Sequence, residues 1–458
     1  MSDTICAIAS GMTASGIGII RISGPEAFSY LAKIFHPAAQ DRVSGWKANT
    51  IHYGHIFDGE ECIDECLILA MKAPHTYTTE DTIEIDCHGG PYVMRRILEV
   101  VMKAGARLAE PGEFTKRSFL GGRIDLSEAE AVMDVISAKN EDALASSMAQ
   151  LSGSVRRKIS TIRTTILDEV SYIEAALDDP EHMDLTGYPP ELLKKISKCE
   201  HEIKKLIGSY DEGKYIREGI RTVILGKPNA GKSSLLNALT GQDRAIVTDI
   251  EGTTRDVLEE TVNLGGVTLR LFDTAGIRES EKADAIEQIG MTKAMDAAEK
   301  ADLILTVLDA ARPLDANDRE ILALIREKKA IVLLNKNDLR QVITEEEIHE
   351  NCEAPVLSIS ANTGDGIDVL GDKIRSMFLG GHIHMNEEVT ITNVRQKEAL
   401  TRAEQSLFLV EQSIEDGMPE DFYTIDLMDA YAALGEIIGE EVNDDLVNNI
   451  FAKFCMGK

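Results

Sequence analysis

Gly226 to Ser233 read Gly-Lys-Pro-Asn-Ala-Gly-Lys-Ser, residue types and spacing that can wrap a chain of phosphates. The apolar run Thr222 to Leu225 before them predicts a buried strand, and Ser234 to Leu239 after them opens a helix. Strand, glycine loop and helix start together turn backbone N–H groups toward an anion, and the helix dipole adds partial positive charge. Asn229, Ala230, Gly231, Lys232, Ser233 and Ser234 form the phosphate-binding set. Lys232 can reach the terminal phosphates, and the Ser233 hydroxyl can hold magnesium. The bland alternative, a chance glycine turn, leaves the flanking strand and helix as coincidence. These elements imply a nucleotide-binding α/β unit.

Three later segments choose the base. Asn335, Lys336 and Asp338 follow the apolar run Ala330 to Leu334, which puts them at the C-terminal end of a strand. The Asp338 carboxylate can accept from both the ring N–H and the exocyclic amine of guanine, a pair that adenine lacks. Ser360, Ala361 and Asn362 follow the run Val356 to Ile359, where a backbone N–H can meet the guanine carbonyl. Asp273, Thr274, Ala275 and Gly276 end the strand Leu269 to Phe272 and bring a carboxylate beside the metal and last phosphate. Their order and spacing are those of a small GTPase, and strand ends are where open α/β sheets bind ligands.

The hydrolytic parts depart from the common pattern. The position where many GTPases carry a water-orienting glutamine is Ile277, which cannot hydrogen-bond water. The loop Thr248, Asp249, Ile250, Glu251, Gly252, Thr253 and Thr254 stands in the place of switch I, with Thr254 joining Ser233 as a magnesium ligand. Oxygens of Asn229, Thr248, Ile250 and Thr253 could cage potassium where an arginine finger would otherwise put positive charge. Asn229 as a simple turn residue is the alternative.

Composition limits the rest. At 458 residues the chain exceeds a single core, so two or three domains are expected. An apolar content of 43% with 28% charged residues describes a soluble globular protein. No run of 18 or more apolar residues occurs, and Met1 to Thr4 lacks a basic region followed by an apolar stretch, so neither membrane span nor secretory signal is expected. Seven scattered cysteines read as reduced cytosolic thiols, although Cys62 and Cys66 leave metal binding open. The net charge of −30 opposes a polyanion partner, and Glu411 to Ile450 holds twelve acidic residues with no Lys or Arg. That stretch reads as a solvated helical face. Local positive clusters at Arg95-Arg96, Lys116-Arg117 and Arg156 to Lys158 leave room for local RNA contact, or for contact through a partner protein.

The expected fold is multidomain α/β. Residues 1–119 mix short strands with one good helix pattern, Tyr92 to Ala104, and read as α+β. Helical periodicity takes over in 120–215, as in Leu126, Ala129, Val132, Met133 and Ile136, and breaks near Asp178 and Gly187. A Ras-like P-loop unit spans 216–380, and helices return over 381–458. The P-loop unit is thus inserted into one discontinuous helical domain.

Beyond the phosphate loop, Ala245 to Asp256, Asp273 to Arg278, Gly18 to Gly24, Glu84 to Gly90, Arg107 to Arg117 and the terminal Phe454-Cys-Met-Gly-Lys458 resemble the MnmE (TrmE) family of bacterial and organellar tRNA-modification GTPases. The resemblance runs the whole chain; the Pro-Gly-Glu-Phe block and the Cys-x-Gly-Lys tail are its most specific parts. It implies a potassium-stimulated, cytoplasmic homodimer. With MnmG, a flavin-dependent partner, in a heterotetramer or larger complex, it adds an aminomethyl or carboxymethylaminomethyl group to C5 of the tRNA wobble uridine. It also implies that the N-terminal domain dimerises and binds a 5-formyl or methylene tetrahydrofolate through Arg21, Glu84, Arg123 and Lys458. Surface salt bridges would look the same at the first three; Arg123 stands where a lysine is expected, which keeps the charge and alters the geometry.

Glu287 matches the position of a water-orienting glutamate, with Glu279, Glu281 and Asp284 as competing carboxylates. Cys455, flanked by Lys453 and Lys458, is either an activated nucleophile or a buried thiol beside Phe451 and Phe454. A GTP-gated RNA-binding or ribosome-assembly switch is the alternative function. It leaves the N-terminal motifs and the tail without purpose, whereas a folate-only transferase leaves the GTPase unit unexplained.

Overall fold

The computed structural model describes residues 3–39, 42–183, 185–242, 260–272, 298–380, 389–455 and 457. They form two compact units, one of residues 1–133, 150–200 and 402–458, the other of 134–149 and 201–401.

The first unit holds a seven-stranded sheet. Its strands are β1 (Ile5–Ile8), β2 (Gly18–Ser23), β3 (Phe35–Pro37), β4 (Thr50–Asp58), β5 (Glu61–Met71), β6 (Thr82–Cys87) and β7 (Arg107–Leu108), in the order β3-β4-β5-β6-β2-β1-β7. All neighbours are antiparallel except β1 and β7. Helices Ala27–Ile34 and Pro91–Ala104 bury Leu31, Met94, Ile97 and Val101 with the sheet's Ile20, Ile22, Ile68, Ile83 and Ile85. Alternation along β6 leaves Glu84 and Asp86 partly exposed between buried Ile83, Ile85 and Cys87, as a half-buried strand requires.

The same unit contains a long helix, Ser154–Asp178, packed lengthwise on Glu420–Ile438. Val155, Ile159, Ile162, Ile166, Val170 and Ile173 recur at helical spacing and are buried, as are Tyr423, Leu427, Ala430 and Leu434 opposite. Pro180 and the Gly187-Tyr-Pro-Pro turn separate Ser154–Asp178 from Pro189–Gly208, where the sequence predicts a break.

The second unit is built on six strands: β8 (Ile220–Leu225), β9 (Glu260–Leu264), β10 (Val267–Leu271), β11 (Leu303–Asp309), β12 (Ala330–Asn335) and β13 (Val356–Ser358). Their order is β13-β12-β11-β8-β10-β9, parallel except for the β9–β10 hairpin. β11 and β12 are almost continuous runs of Leu, Ile and Val because helices cover both faces of the sheet. The architecture is the mixed α/β fold expected, with a doubly covered parallel sheet in one unit and an antiparallel sheet with helices in the other. Among the described residues no helix is long and apolar enough to cross a membrane.

Candidate functional site

The phosphate loop leaves the end of β8 and enters helix Lys232–Gln242. Three backbone positions set its shape. Gly226 has φ of 149° and sits where a Cβ would come within 2.4 Å of the Val307 carbonyl. Gly231 has φ of 100°, and a Cβ there would meet the Asn335 amide nitrogen at 2.0 Å. Asn229 is left-handed at 64°, a conformation that Asn tolerates better than most residues. Lys232 Nζ curls back and donates to the carbonyls of Gly226 and Lys227, each at 2.7 Å. That places its ammonium inside the loop, where a phosphate oxygen would compete for the same donor hydrogens.

Two neighbouring strand ends complete the rim. Asn335, the last residue of β12, is 2% exposed; its Nδ2 donates to the Ala230 carbonyl at 2.9 Å. Its Oδ1 accepts the backbone N–H of Ala361 at 3.0 Å. One buried amide thus ties the phosphate loop to the Ser360–Ala361 segment, and the close approach is what demands glycine at 231. Ser360 Oγ donates to Asp338 Oδ1 at 2.7 Å, which orients the carboxylate assigned to the base. Lys336, with φ of 70°, donates to Asp309 Oδ2 at 2.6 Å. Burial works to raise the Asp309 carboxyl, but the hydrogen bonds from Lys336 and the Ala311 N–H outweigh it and hold it below its ordinary value. Lys227, in the loop itself, pairs with Asp315 and Asp318 of the helix that starts at Ala316.

The N-terminal candidates meet on the first unit's sheet. Arg21 on β2 and Glu84 on β6 are cross-strand partners, with Arg21 Nε at 2.7 Å from Glu84 Oε1. Arg21 also donates to the Gly457 carbonyl at 3.0 Å. The Arg21 guanidinium lies over the rings of Tyr77, at 5.7 Å, and Phe114, at 5.5 Å. Arg123 covers the same Tyr77 ring at 5.0 Å and donates to Ser118 Oγ at 3.3 Å. Two cations, a carboxylate and an aromatic face converge, a set suited to an anionic ligand with a flat amidine-like ring. Arg21 and Glu84 form an ion pair, as the salt-bridge alternative has it, whereas Arg123 has no carboxylate partner among the described residues and contacts Ser118 and the Tyr77 ring.

The tail reaches this cluster because Gly457, at φ of 88°, fits against Ile8 and Ala9, where a Cβ would come within 2.4 Å of the Ile8 carbonyl. Phe451 and Phe454 are buried, whereas Cys455 is exposed and, among the described residues, only its carbonyl is engaged, by the Gly112 N–H at 3.4 Å. The buried-thiol alternative for Cys455 is therefore incorrect: the two phenylalanines fill the apolar seat and turn the thiol outward.

Thr248 to Thr254, Asp273 to Gly276, Ile277, Glu287 with its competitors Glu279, Glu281 and Asp284, and Lys458 lie outside the described residues. Sequence reasoning missed Tyr77, Phe114, Asp309 and Asp315. Tyr77 and Phe114 carry no motif of their own, although Phe114 falls within the Pro-Gly-Glu-Phe block that was singled out.

The sequence matches the family described as MnmE helical domain over residues 126–455, and that described as GTP-binding protein TrmE N-terminus over residues 4–123. The tRNA modification GTPase MnmE of Lachnoclostridium phytofermentans is 55% identical over 458 residues, covering 100% of both chains. The protein of the same name from Clostridioides difficile is 47% identical over 460 residues, again covering 100% of both. A solved structure of Era from Aquifex aeolicus bound to GDP·AlF4- is 28% identical over 42% of this chain and 67% of that chain, with a TM-score of 0.26. With both family matches in place and relatives that align from end to end, the chain belongs to the MnmE family of tRNA modification GTPases.

Proposed function

We propose that this protein hydrolyses GTP and, with an MnmG-like flavin-dependent partner, adds an aminomethyl or carboxymethylaminomethyl group to C5 of the wobble uridine of certain tRNAs. The observation that carries the reading is the end-to-end likeness, at 55% identity, to a protein named tRNA modification GTPase. The site supports it locally: Asn335 links the loop proposed for the phosphates to the segment proposed for the base, so one buried residue serves both ends of a nucleotide.

In this reading Lys232 exchanges its loop carbonyls for phosphate oxygens, Ser233 and Thr254 hold Mg2+, and Asp338 reads the guanine edge. Asp273 and Gly276 sense the last phosphate. Potassium, held by Asn229, Thr248, Ile250 and Thr253, supplies positive charge during hydrolysis, and Glu287 orients the water. The left-handed backbone at Asn229 is one that a turn asparagine also adopts, so the potassium role rests on the family resemblance. A tetrahydrofolate derivative is the proposed one-carbon source. Arg21, Arg123 and Lys458 would hold its acidic tail, Glu84 its pterin edge, and Tyr77 its flat face. Cys455, exposed and two positions before the Gly457 whose carbonyl meets Arg21, is the proposed nucleophile. The proposed organisation is a cytoplasmic homodimer built from an N-terminal domain (1–119), a helical domain (120–215 with 381–458) and a GTPase domain (216–380).

The test is mass spectrometry of tRNA nucleosides from cells lacking the protein, with and without re-expression. Loss and rescue of a 5-substituted wobble uridine supports the reading. Unchanged nucleosides sink it and leave a GTP-gated RNA-binding or assembly switch.

A further inference from the structure

The stretch 134–149, which contains the start of helix Glu141–Leu151, belongs to the second unit, although the chain on both sides of it belongs to the first. Residues around that helix start hold the β9–β10 hairpin on both strands and at its turn. Asn140 Nδ2 donates to the buried Thr268 hydroxyl of β10 at 2.7 Å. Lys139 Nζ donates to Thr261 Oγ1 of β9 at 3.3 Å. At the turn one guanidinium bridges the two pieces: Arg375 donates to Asp142 Oδ2 at 2.8 Å and to the Gly265 carbonyl at 3.2 Å. Asp134 pairs with Arg217 Nε at 2.8 Å, so the stretch is fixed at its other end as well.

The hairpin depends on such bonds. Among the described residues β9 is the edge strand and pairs with β10 alone, and β10 joins β8 through Leu269 to Leu271. Val262, Leu264, Val267 and Leu269 pack into the core, but hydrophobic contact is non-directional and permits sliding along the strand. Hydrogen bonds, with their narrow range of lengths and angles, do not. Both ends of the hairpin lead to segments assigned to the reacting end of the nucleotide. Thr254 lies six positions before β9 begins at Glu260, and Asp273 lies two positions after β10 ends at Leu271. A slide of the hairpin would shift the start of both segments at once. The phosphate loop and the Asn335 tie leave β8 and β12 instead, and would keep their places.

We infer that Asn140, supported by Lys139 and Asp142, is a positioning residue for GTP hydrolysis: it fixes the β9–β10 hairpin and, through it, the segments that carry Thr254 and Asp273. This rests on the function proposed above, in which Thr254 holds Mg2+ and Asp273 senses the last phosphate. The phosphate loop and the base segment set nucleotide affinity, so loss of the Asn140 bond falls on kcat and not on binding. A misplacement of about 1 Å that starts far from the chemistry can cost about a hundredfold in rate.

The experiment measures kcat and KM for GTP hydrolysis by the full-length chain with Mg2+ and K+, beside its affinity for a fluorescent GDP analogue. Asn140→Ser keeps an oxygen that can cap the helix but is too short to reach Thr268. Thr268→Val removes the hydroxyl and keeps the branched shape, whereas Thr268→Ser keeps the hydroxyl. The expected kcat is at least about fivefold lower in Asn140→Ser and Thr268→Val, and within about twofold of native in Thr268→Ser. KM and GDP-analogue affinity should stay within about twofold throughout. If circular dichroism shows that Thr268→Val misfolds, Asn140→Ser carries the test. Native kcat in Asn140→Ser overturns the inference, and so does an equal fall in Thr268→Ser, which would trace the loss to packing. An affinity loss that matches the kcat loss overturns it too, because the hairpin would then support the whole nucleotide site. Thr254→Ala separates the inference from the reading beneath it. Unchanged hydrolysis in that variant sinks both, whereas lost hydrolysis there with native kcat in Asn140→Ser sinks the inference alone.

Discussion

Asn140 Nδ2 donates to the Thr268 hydroxyl of β10 at 2.7 Å while its Oδ1 accepts the Ala143 N–H at the start of helix Glu141–Leu151. A single side chain thus caps a helix and fastens it to the strand that leads toward Asp273. Asn140→Ala removes both bonds and leaves a buried hydroxyl unpaired, so about 2 kcal/mol of stability should be lost. Denaturant unfolding measures it; a loss below about 0.5 kcal/mol would mean the cap contributes alone or not at all.

Asn335→Ala should weaken guanine nucleotide binding by about tenfold to a hundredfold, because the carbonyl of Ala230 and the N–H of Ala361 are left buried without partners. Titration with a fluorescent GDP analogue checks this. Equal affinity would show that the two loops hold their places independently.

Asp315 gives a pH prediction. The hydrogen bond from Lys227 holds its carboxyl at about 2, against an ordinary value of 3.8. A depressed carboxyl stabilises the fold fully above its unfolded value, and that stabilisation fades as pH falls through the folded one. The native protein should lose stability between about pH 4 and pH 2 more steeply than Asp315→Asn, whose amide can still cap the helix at Ala316. Thermal unfolding across that window decides, and superimposable profiles would exclude the Lys227 pair as the cause.

Tyr77→Leu should reduce 5-formyltetrahydrofolate affinity by at least about fivefold with GTP hydrolysis unchanged, since it removes the ring that both guanidiniums cover. Arg21→Ala should cost more, because it also releases Glu84 and the Gly457 carbonyl. Calorimetric titration reads both, and full affinity in Tyr77→Leu would remove the ring from the site.

Gly457→Ala should loosen the tail, since both the φ of 88° and the Ile8 carbonyl exclude a Cβ. The expected reading is faster carboxypeptidase trimming of the tail with an unchanged melting temperature for the rest. Trimming at the native rate would show that the seat tolerates a methyl group.

What the sequence made legible was local. The phosphate loop is contiguous, and β11 and β12 announce themselves as unbroken apolar runs. The partners that orient the motifs were not legible, because they come from distant segments. Asp309 reaches Lys336 through the parallel pairing of β11 with β12, and Tyr77 meets Arg21 and Arg123 only once β2 lies beside β6. The orientation of Cys455 depended on which neighbours won the apolar seat, and two phenylalanines outcompete a thiol for burial.

The hydrogen bond from Arg21 to Gly457 spans 436 positions in the chain. During synthesis the strands that carry Arg21 and Glu84 emerge early, yet the cluster lacks this contact until Gly457 leaves the ribosome. A chain cut before Gly457 would keep the strands of both sheets while losing that contact to Arg21. Assembly of the cluster is thereby tied to a late segment of the chain and not to the segment that carries its strands.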